Sequence, residues 1–272
     1  MSDFSWKHVV SSLPEPESRP FIISEKLTVA MPHLRHGFTF GLPRLGDPEI
    51  AQEVRVALGG FQFAPWVFNQ PHGPDILHVA GKSGADREGL SPEEVPVTGY
   101  DGGRGQLNGR SAGPAFAIKA ADCVTILAAL PGVGAYAALH AGWRGVAAGI
   151  LPRLLSEWRG EGGDLSEAVL VFGPHIRSCC FEVKEDCLSQ FPMADLSGAV
   201  TANGGRTYLN LERVLRNQAA QFQIEGSQIE ALDMCTCCHA VDGRHPFASY
   251  RRAQKEGRPA GRNLAFIGPA HR

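Results

Sequence analysis

Three short segments place metal-competent side chains beside glycine or at the end of an apolar run: Asn69-Gln70-Pro71-His72-Gly73, Ala121-Asp122-Cys123 and His140-Ala141-Gly142-Trp143-Arg144-Gly145. Each falls where an expected strand meets a turn, a junction at which a rigid sheet can aim side chains into a common cleft. A thiolate with two imidazoles suits zinc. Three protein ligands would leave one coordination position open, as in catalytic rather than structural zinc sites. His72, Cys123 and His140 are far apart in the chain, however, and nothing local forces them together, so on spacing alone simple burial or exposure of each stays open. The same residues also suit a cysteine hydrolase or amidase, with Cys123 as nucleophile and His140 or His72 as base. A fourth ligand from His36, His78 or His175 would instead close the site and favour a non-catalytic binding protein stabilised by zinc.

A second group of thiols, Cys235-Thr236-Cys237-Cys238-His239, has Cys179, Cys180 and Cys187 as further partners. Adjacent cysteines on a strand point apart, and no C-x-x-C pairing with the zinc-ribbon spacing is present, so buried or idle thiols are expected there. Arg251, Arg252, Arg258 and Arg262 make a basic patch, either a solvated face or a lure for anions. Phe38, Trp143 and Tyr250 have rings that can stack on a base, but core packing is the commoner fate of such aromatics.

The elements that must carry these residues are legible from hydrophobic pattern. Short apolar, β-branched or aromatic runs predict strands over Trp66–Asn69, Ile76–Val79, Ala115–Lys119, Val124–Ala129, Ala135–Leu139 and Ala168–Phe172, several continuous enough to be buried on both faces. Val146, Ile150, Leu154 and Trp158 recur every four residues, predicting a helix over Val146–Trp158; Leu211–Phe222 is a second helix and Glu49–Leu58 a weaker third. No G-x-G-x-x-G or G-x-x-x-x-G-K-[ST] fingerprint follows a strand, which disfavours a Rossmann or P-loop nucleotide site. The expected fold is α+β (mixed α/β), with mixed β-sheets covered by helices. Residues 1–272 read as a single catalytic domain, with 1–20 a flexible N-terminal segment and 81–113, rich in glycine and proline, a long irregular excursion.

Composition sets the outer bounds. Of 272 residues, 43% are hydrophobic and 20% charged, enough apolar material for a substantial core without staples. A formal charge of -2 provides no global positive field for nucleic acid or an anionic membrane. No apolar run reaches the ~18 residues of a membrane span, and the polar, proline-bearing start lacks a secretory pattern, so a cytoplasmic protein is expected. Seven cysteines fit free thiols in a reducing compartment better than a disulfide framework.

The segments H-G-F at His36–Phe38, N-Q-P-H-G, A-A-D-C, H-A-G-W-R-G, G-P-H-I with C-C-F-E-V, and F-A-S-Y-R-R with G-R-N-L-A-F-I occur in one order between His36 and Ile267. Together they resemble the laccase-like polyphenol oxidoreductase family, described as zinc-dependent purine nucleoside phosphorylases. The resemblance implies that His72, Cys123 and His140 bind zinc, and that the partners are a small purine nucleoside and phosphate. It implies adenosine, inosine and methylthioadenosine as candidate substrates, with adenosine deaminase activity beside phosphorolysis. It also raises the editing of peptidoglycan precursors, the substrate class for the cysteine-hydrolase alternative. Copper suits the residues less than zinc does, because blue-copper sites need a weak axial ligand and multicopper clusters need many paired histidines.

Phosphorolysis calls for an anion held near C1′ of the ribose and for stabilisation of the departing base. Arg144, on the turn after His140, is the expected catalytic cation for phosphate or ribose oxygens, since guanidinium matches them bidentately. Asp122 is the expected proton shuttle, or the carboxylate that orients a ligand histidine. Gln70 is the expected substrate-binding amide, for a purine edge or a sugar hydroxyl. Two departures stand out from the family pattern. Phe40 occupies the place of an expected arginine, with Arg44 four residues on, and the family's A-D-A-hydrophobic-V-T segment reads Glu93-Glu94-Val95-Pro96-Val97-Thr98.

Overall fold

The computed structural model describes residues 21–42, 50, 65–79, 97–107 and 113–269. The expected flexible segment 1–20, the Glu49–Leu58 helix apart from Ile50, Arg44 and residues 93–96 lie outside the described residues.

Two large sheets dominate. The first holds β1 (Phe21–Ile22), β2 (Leu34–Thr39), β3 (Trp66–Val67), β6 (Phe116–Ala120) and β14 (Asn263–Pro269), in the order β1-β2-β14-β6-β3. The second holds β4 (Leu77–Val79), β5 (Gly102–Gln106), β7 (Val124–Leu130), β8 (Ala135–Ala141), β9 (Val169–Phe172) and β13 (Ile229–Ala231), in the order β13-β9-β7-β8-β5-β4. A small third sheet pairs β10 (Glu182–Val183) and β11 (Val200–Asn203) with β12 (Arg206–Leu209). Both large sheets mix parallel and antiparallel pairs, giving the expected mixed α+β architecture.

The period-two alternation of strand side chains divides the core into layers. On β7, Leu127 and Ala129 face the first sheet and pack with Phe38, Phe116, Ile118, Tyr136, Val171 and Ile267. Val124, Ile126, Ala128 and Leu130 face the other way, against helices. Those helices are α2 (Trp143–Ala147), α3 (Ile150–Gly160) and α5 (Leu211–Ala220); α1 (Glu25–Ala30), α4 (Glu185–Leu188) and α6 (Tyr250–Lys255) are short. On α3, Ile150, Leu151, Leu154, Leu155 and Trp158 form the buried stripe that the four-residue spacing predicts. Burying a side chain of this kind contributes about 1.5–3 kcal/mol, so this face anchors α3 to the sheet. The expected helix over Val146–Trp158 is in fact two: Gly149 at φ 82 breaks the ladder, leaving α2 as a separate turn directly after β8.

The excursion expected over 81–113 contains a strand. β5 lies in the second sheet between β4 and β8, with Gly103 opposite Ala138 and Gly102 opposite Leu139. Its glycines permit close approach: a Cβ on Gly103 would lie 2.4 Å from the Phe116 ring, and one on Gly102 would lie 2.4 Å from the Ala138 carbonyl oxygen. A glycine-rich stretch that reads as irregular is thus a strand pressed against a neighbour with no room for side chains.

Candidate metal centre

Two places where the chain crosses from the first sheet to the second each carry a candidate ligand. β6 stops at Ala120 and β7 starts at Val124, so Ala121-Asp122-Cys123 is one crossing. Asp122 has φ 89, which ends the strand and removes the constraint that would turn Asp122 and Cys123 to opposite faces. The other crossing runs from β3 to β4 and carries Gln70 at φ 57 and His72 at φ 69. Left-handed backbone at such residues costs on the order of 1–3 kcal/mol each, and it persists only where the surroundings over-determine it. Here they do. The Gln70 amide donates to the Lys119 carbonyl at 2.7 Å and accepts from the Lys119 N–H at 2.9 Å, tying one crossing to the strand that leads into the other.

His140 comes from the penultimate position of β8, opposite Thr125 of β7, and its N–H donates to the Asp101 carbonyl at 2.7 Å. The ligand atoms of His72, Cys123 and His140 all lie within 4.8 Å of one another. The two imidazoles meet edge to face with centroids 4.7 Å apart. His140 is buried, Cys123 half-buried and His72 exposed, so the cluster opens to solvent on the His72 side.

Asp101 organises this cluster. Its fully buried carboxylate lies 2.8 Å from His140 Nδ1 and accepts the backbone N–H of His72 at 3.0 Å and of Gly73 at 2.7 Å. The contact fixes the imidazole: Nδ1 carries the proton toward Asp101, and Nε2 is presented to the cluster. Burial pushes the Cys123 thiol up, yet hydrogen bonds and charge from His140 and His72 outweigh it and bring the pKa down to about 6. Burial lowers His140, but Asp101 and Cys123 raise it to about 9. Without a metal, the pair is therefore a thiolate beside an imidazolium at neutral pH.

Gly142 tests whether these residues fit an ion. A Cβ built there would sit 3.2 Å from Cys123 Sγ, 3.2 Å from His72 Cδ2 and 3.3 Å from His140 Cε1, so the three donors surround a space that this residue leaves free. One turn on, Gly145 lets the loop that carries His72 approach closely, since a Cβ there would lie 2.8 Å from the Gly73 carbonyl oxygen. The donor set and the cradle both fit a single metal ion. Among the described residues no fourth histidine, cysteine or carboxylate joins the group. The candidates for closing it are engaged elsewhere: His36 Nε2 is 3.1 Å from Ser24, with its pKa lowered to about 4 by burial; His78 lies against Arg104; and His175 Nδ1 is 2.8 Å from the Gly173 carbonyl.

The remaining expectations fare unevenly. Asp122 does not orient a ligand histidine: its carboxylate accepts Thr236 Oγ1 at 2.7 Å and the Arg251 N–H at 2.6 Å, and Asp101 takes the orienting role. Gln70 is buried, with both ends of its amide on the Lys119 backbone rather than directed to a ligand. Arg144 is exposed, its guanidinium 4.2 Å from the Trp143 ring centroid. Phe38 joins the core as expected, whereas Tyr250 is 56% exposed. Phe40 stacks on Phe247 with centroids 5.8 Å apart, so an apolar contact stands where an arginine was expected. The basic patch is dispersed: Arg252 is buried on backbone carbonyls, Arg251 binds the carbonyls of Cys180 and Glu182, and Arg258 pairs with Glu256. Cys187 is buried in the helix-side core, away from the other thiols. Asp101 was the residue that sequence reasoning missed. A carboxylate behind a ligand histidine was anticipated, but Asp101 lies in the glycine-rich stretch and no local pattern links it to His140 across 39 residues.

Residues 47–270 match the family model described as multi-copper polyphenol oxidoreductase laccase. The chain is 32% identical over 216 residues to the purine nucleoside phosphorylase YlmD of Geobacillus stearothermophilus, covering 76% of this chain and 73% of the relative. It is 29% identical over 221 residues to the purine nucleoside phosphorylase YfiH of Escherichia coli K12, covering 79% and 80%. Among solved structures it resembles the hypothetical protein YfiH of Bacillus licheniformis, with a TM-score of 0.75 and 25% identity over 94% of this chain and 98% of that one.

Proposed function

The chain belongs to the laccase-like polyphenol oxidoreductase family, and on that premise we propose that it is a zinc-dependent purine nucleoside phosphorylase with adenosine deaminase activity. The observation that carries the reading is the His72–Cys123–His140 cluster, whose three donors have no fourth histidine, cysteine or carboxylate among the described residues. A closed four-ligand site would serve structure; an incomplete one leaves room for a reactant. A mixed thiolate and imidazole set around a single position favours zinc over the copper of the family's description. The other metal-competent group among the described residues has no histidine, so the paired histidines of a multicopper cluster are not assembled there. His72, Cys123 and His140 would hold the zinc, which would supply a Lewis acid to polarise a reactant.

The chain's own residues then divide the work. Asp101 holds the His140 imidazole with Nε2 toward the cluster and, through the N–H groups of His72 and Gly73, fixes the loop that carries the exposed ligand. Arg144 is the cation for phosphate or ribose oxygens, two residues beyond the glycine that floors the cluster. In phosphorolysis a phosphate oxygen forms the bond to C1′ as the bond from C1′ to the purine nitrogen breaks. In deamination, water adds at C6 and ammonia leaves. Gln70 acts as a positioning residue, holding the His72 loop to β6, and Asp122 ties the strand crossing to Thr236 and the first turn of α6.

A second reading rests on a specific observation: the lowered Cys123 pKa, His140 and Asp101 together form a cysteine–histidine–aspartate arrangement suited to a thiol hydrolase acting on an amide such as a peptidoglycan precursor. One experiment separates the two. Metal content by mass spectrometry, and phosphate-dependent release of base from adenosine and inosine, are compared for wild type and Cys123→Ala. Zinc and phosphorolysis lost together support the phosphorylase. Hydrolytic activity that survives metal removal but not Cys123→Ala would transfer the site to the thiol hydrolase.

A further inference from the structure

The structure assigns a second metal site, a structural zinc held by Cys179, Cys180, Cys235 and Cys238. These cysteines come from two turns far apart in sequence, one leading from β9 toward β10 and the other following β13. Their four sulfur atoms all lie within 4.8 Å of one another, and Cys179 Sγ and Cys238 Sγ are 3.5 Å apart. In a tetrahedral tetrathiolate with zinc–sulfur bonds of about 2.3 Å, sulfur atoms lie about 3.8 Å from one another. The sulfurs are already near that arrangement. All four thiols are free, and a separation of 3.5 Å is well beyond the ~2.05 Å of a disulfide. Sequence reasoning discounted the group because adjacent cysteines on a strand diverge, but Cys179 and Cys180 lie on a turn, and Cys235 and Cys238 form a C-x-x-C step on another.

The surroundings support a bound cation with four thiolates. The Arg177 N–H donates to Cys235 Sγ at 3.4 Å, and the N–H groups of Cys237 and Cys238 also approach that sulfur, as expected where backbone donors stabilise a metal thiolate. A zinc tetrathiolate carries a net charge of -2, and the guanidinium groups of Arg251 and Arg252 bind carbonyls of the same two turns, those of Cys180 and of Thr236 and Cys237. Cys237, between the ligands, is buried but is not among the cysteines whose sulfurs converge, which leaves four sulfurs rather than five.

The site would act as a clip. It fastens the turn at 235–238 to the turn at 177–180, and Thr236, inside the clip, donates to Asp122 beside Cys123. Four protein ligands close this position, in contrast to the three at the other cluster, so its role is to hold shape rather than to bind substrate.

The test is metal content together with cobalt substitution, on wild type, Cys123→Ala and Cys238→Ser. About two zinc ions per chain are expected in wild type and about one in each variant. Cobalt-loaded Cys123→Ala should show the thiolate-to-metal charge-transfer absorption of a tetrathiolate. Cobalt-loaded Cys238→Ser should lack it. Should Cys238→Ser fail to fold, the Cys123→Ala protein alone carries the decision, because the metal-competent group then left intact among the described residues is the tetrathiolate. Cys123→Ala protein with no bound metal and no such absorption overturns the proposal, as does a disulfide between any two of the four cysteines in protein purified without reductant.

Discussion

At the scale of single residues, the two aspartates near the metal-competent cluster separate by what their oxygens touch. Asp101 reaches His140 Nδ1 and two N–H groups of the His72 loop, while Asp122 reaches Thr236 and the first turn of α6. A carboxylate behind a ligand imidazole typically contributes 10–100-fold to metal affinity. Asp101→Asn should therefore weaken zinc binding by roughly that factor in a chelator competition. Asp122→Asn should leave affinity within a few-fold and lower the melting temperature instead, because it loosens α6 from the strand crossing. The reverse result would return the orienting role to Asp122. Cys123 provides a pH signature. With its pKa lowered to about 6 by the imidazoles, the metal-free protein should be alkylated by iodoacetamide at a rate rising with a midpoint near 6 rather than at the ~8.5 of an ordinary thiol. For stability the shifts oppose each other. The lowered thiol pKa adds stability as pH rises from about 6, and the raised imidazole pKa removes it as pH rises toward about 9. The folded and unfolded pair each hold one proton across that window, so this cluster should contribute little slope to stability against pH.

At the scale of elements, α2 is the part whose packing decides the site. It starts at Trp143 directly after β8, and its glycines let the His72 loop lie on it. Gly145→Ala sets two effects against each other. Alanine favours helix by about 1 kcal/mol over glycine. Against that, a methyl group 2.8 Å from the Gly73 carbonyl oxygen must move backbone, and overpacking of this kind costs about 1–3 kcal/mol. The clash should win. The expected outcome is unchanged far-UV circular dichroism with a lower melting temperature and reduced zinc occupancy; a more stable variant with full occupancy would mean that the loop yields freely. The same glycine logic explains what was legible in the chain. β7 and β8 announce themselves as continuous apolar runs because both their faces are covered, and the α3 stripe has a clear period. β5 was hidden because its Gly102 and Gly103 are dictated by Phe116 and Ala138, residues that become neighbours only after the sheets form. β2 and β14, which pair through Ala265 and Phe38, went unnoticed because each run holds polar or glycine positions that tertiary contacts accommodate.

At the scale of the whole molecule, the candidate ligands are distributed so that no single sheet can assemble them. Cys123 and His72 sit on two of the segments that cross between the large sheets, and His140 belongs to the second sheet alone, opposite Thr125. Motif recognition could find the three segments but not the reason they meet, which is the stacking of two sheets along a shared apolar layer. Metal binding at this position should therefore be coupled to global unfolding rather than to local fraying. A ligand that binds only the folded state stabilises it by about 2.7 kcal/mol at a free concentration 100 times its Kd. For a domain near this size, each kcal/mol moves the melting temperature by about 2–4 °C, giving a rise of roughly 5–10 °C. The check is a calorimetric scan of metal-free protein with and without buffered zinc, beside Cys123→Ala treated identically. The part of the rise that Cys123→Ala abolishes belongs to this cluster. If that part is close to zero while wild type still takes up the ion there, the cluster forms without both sheets in place, and coupling of site to stacking fails.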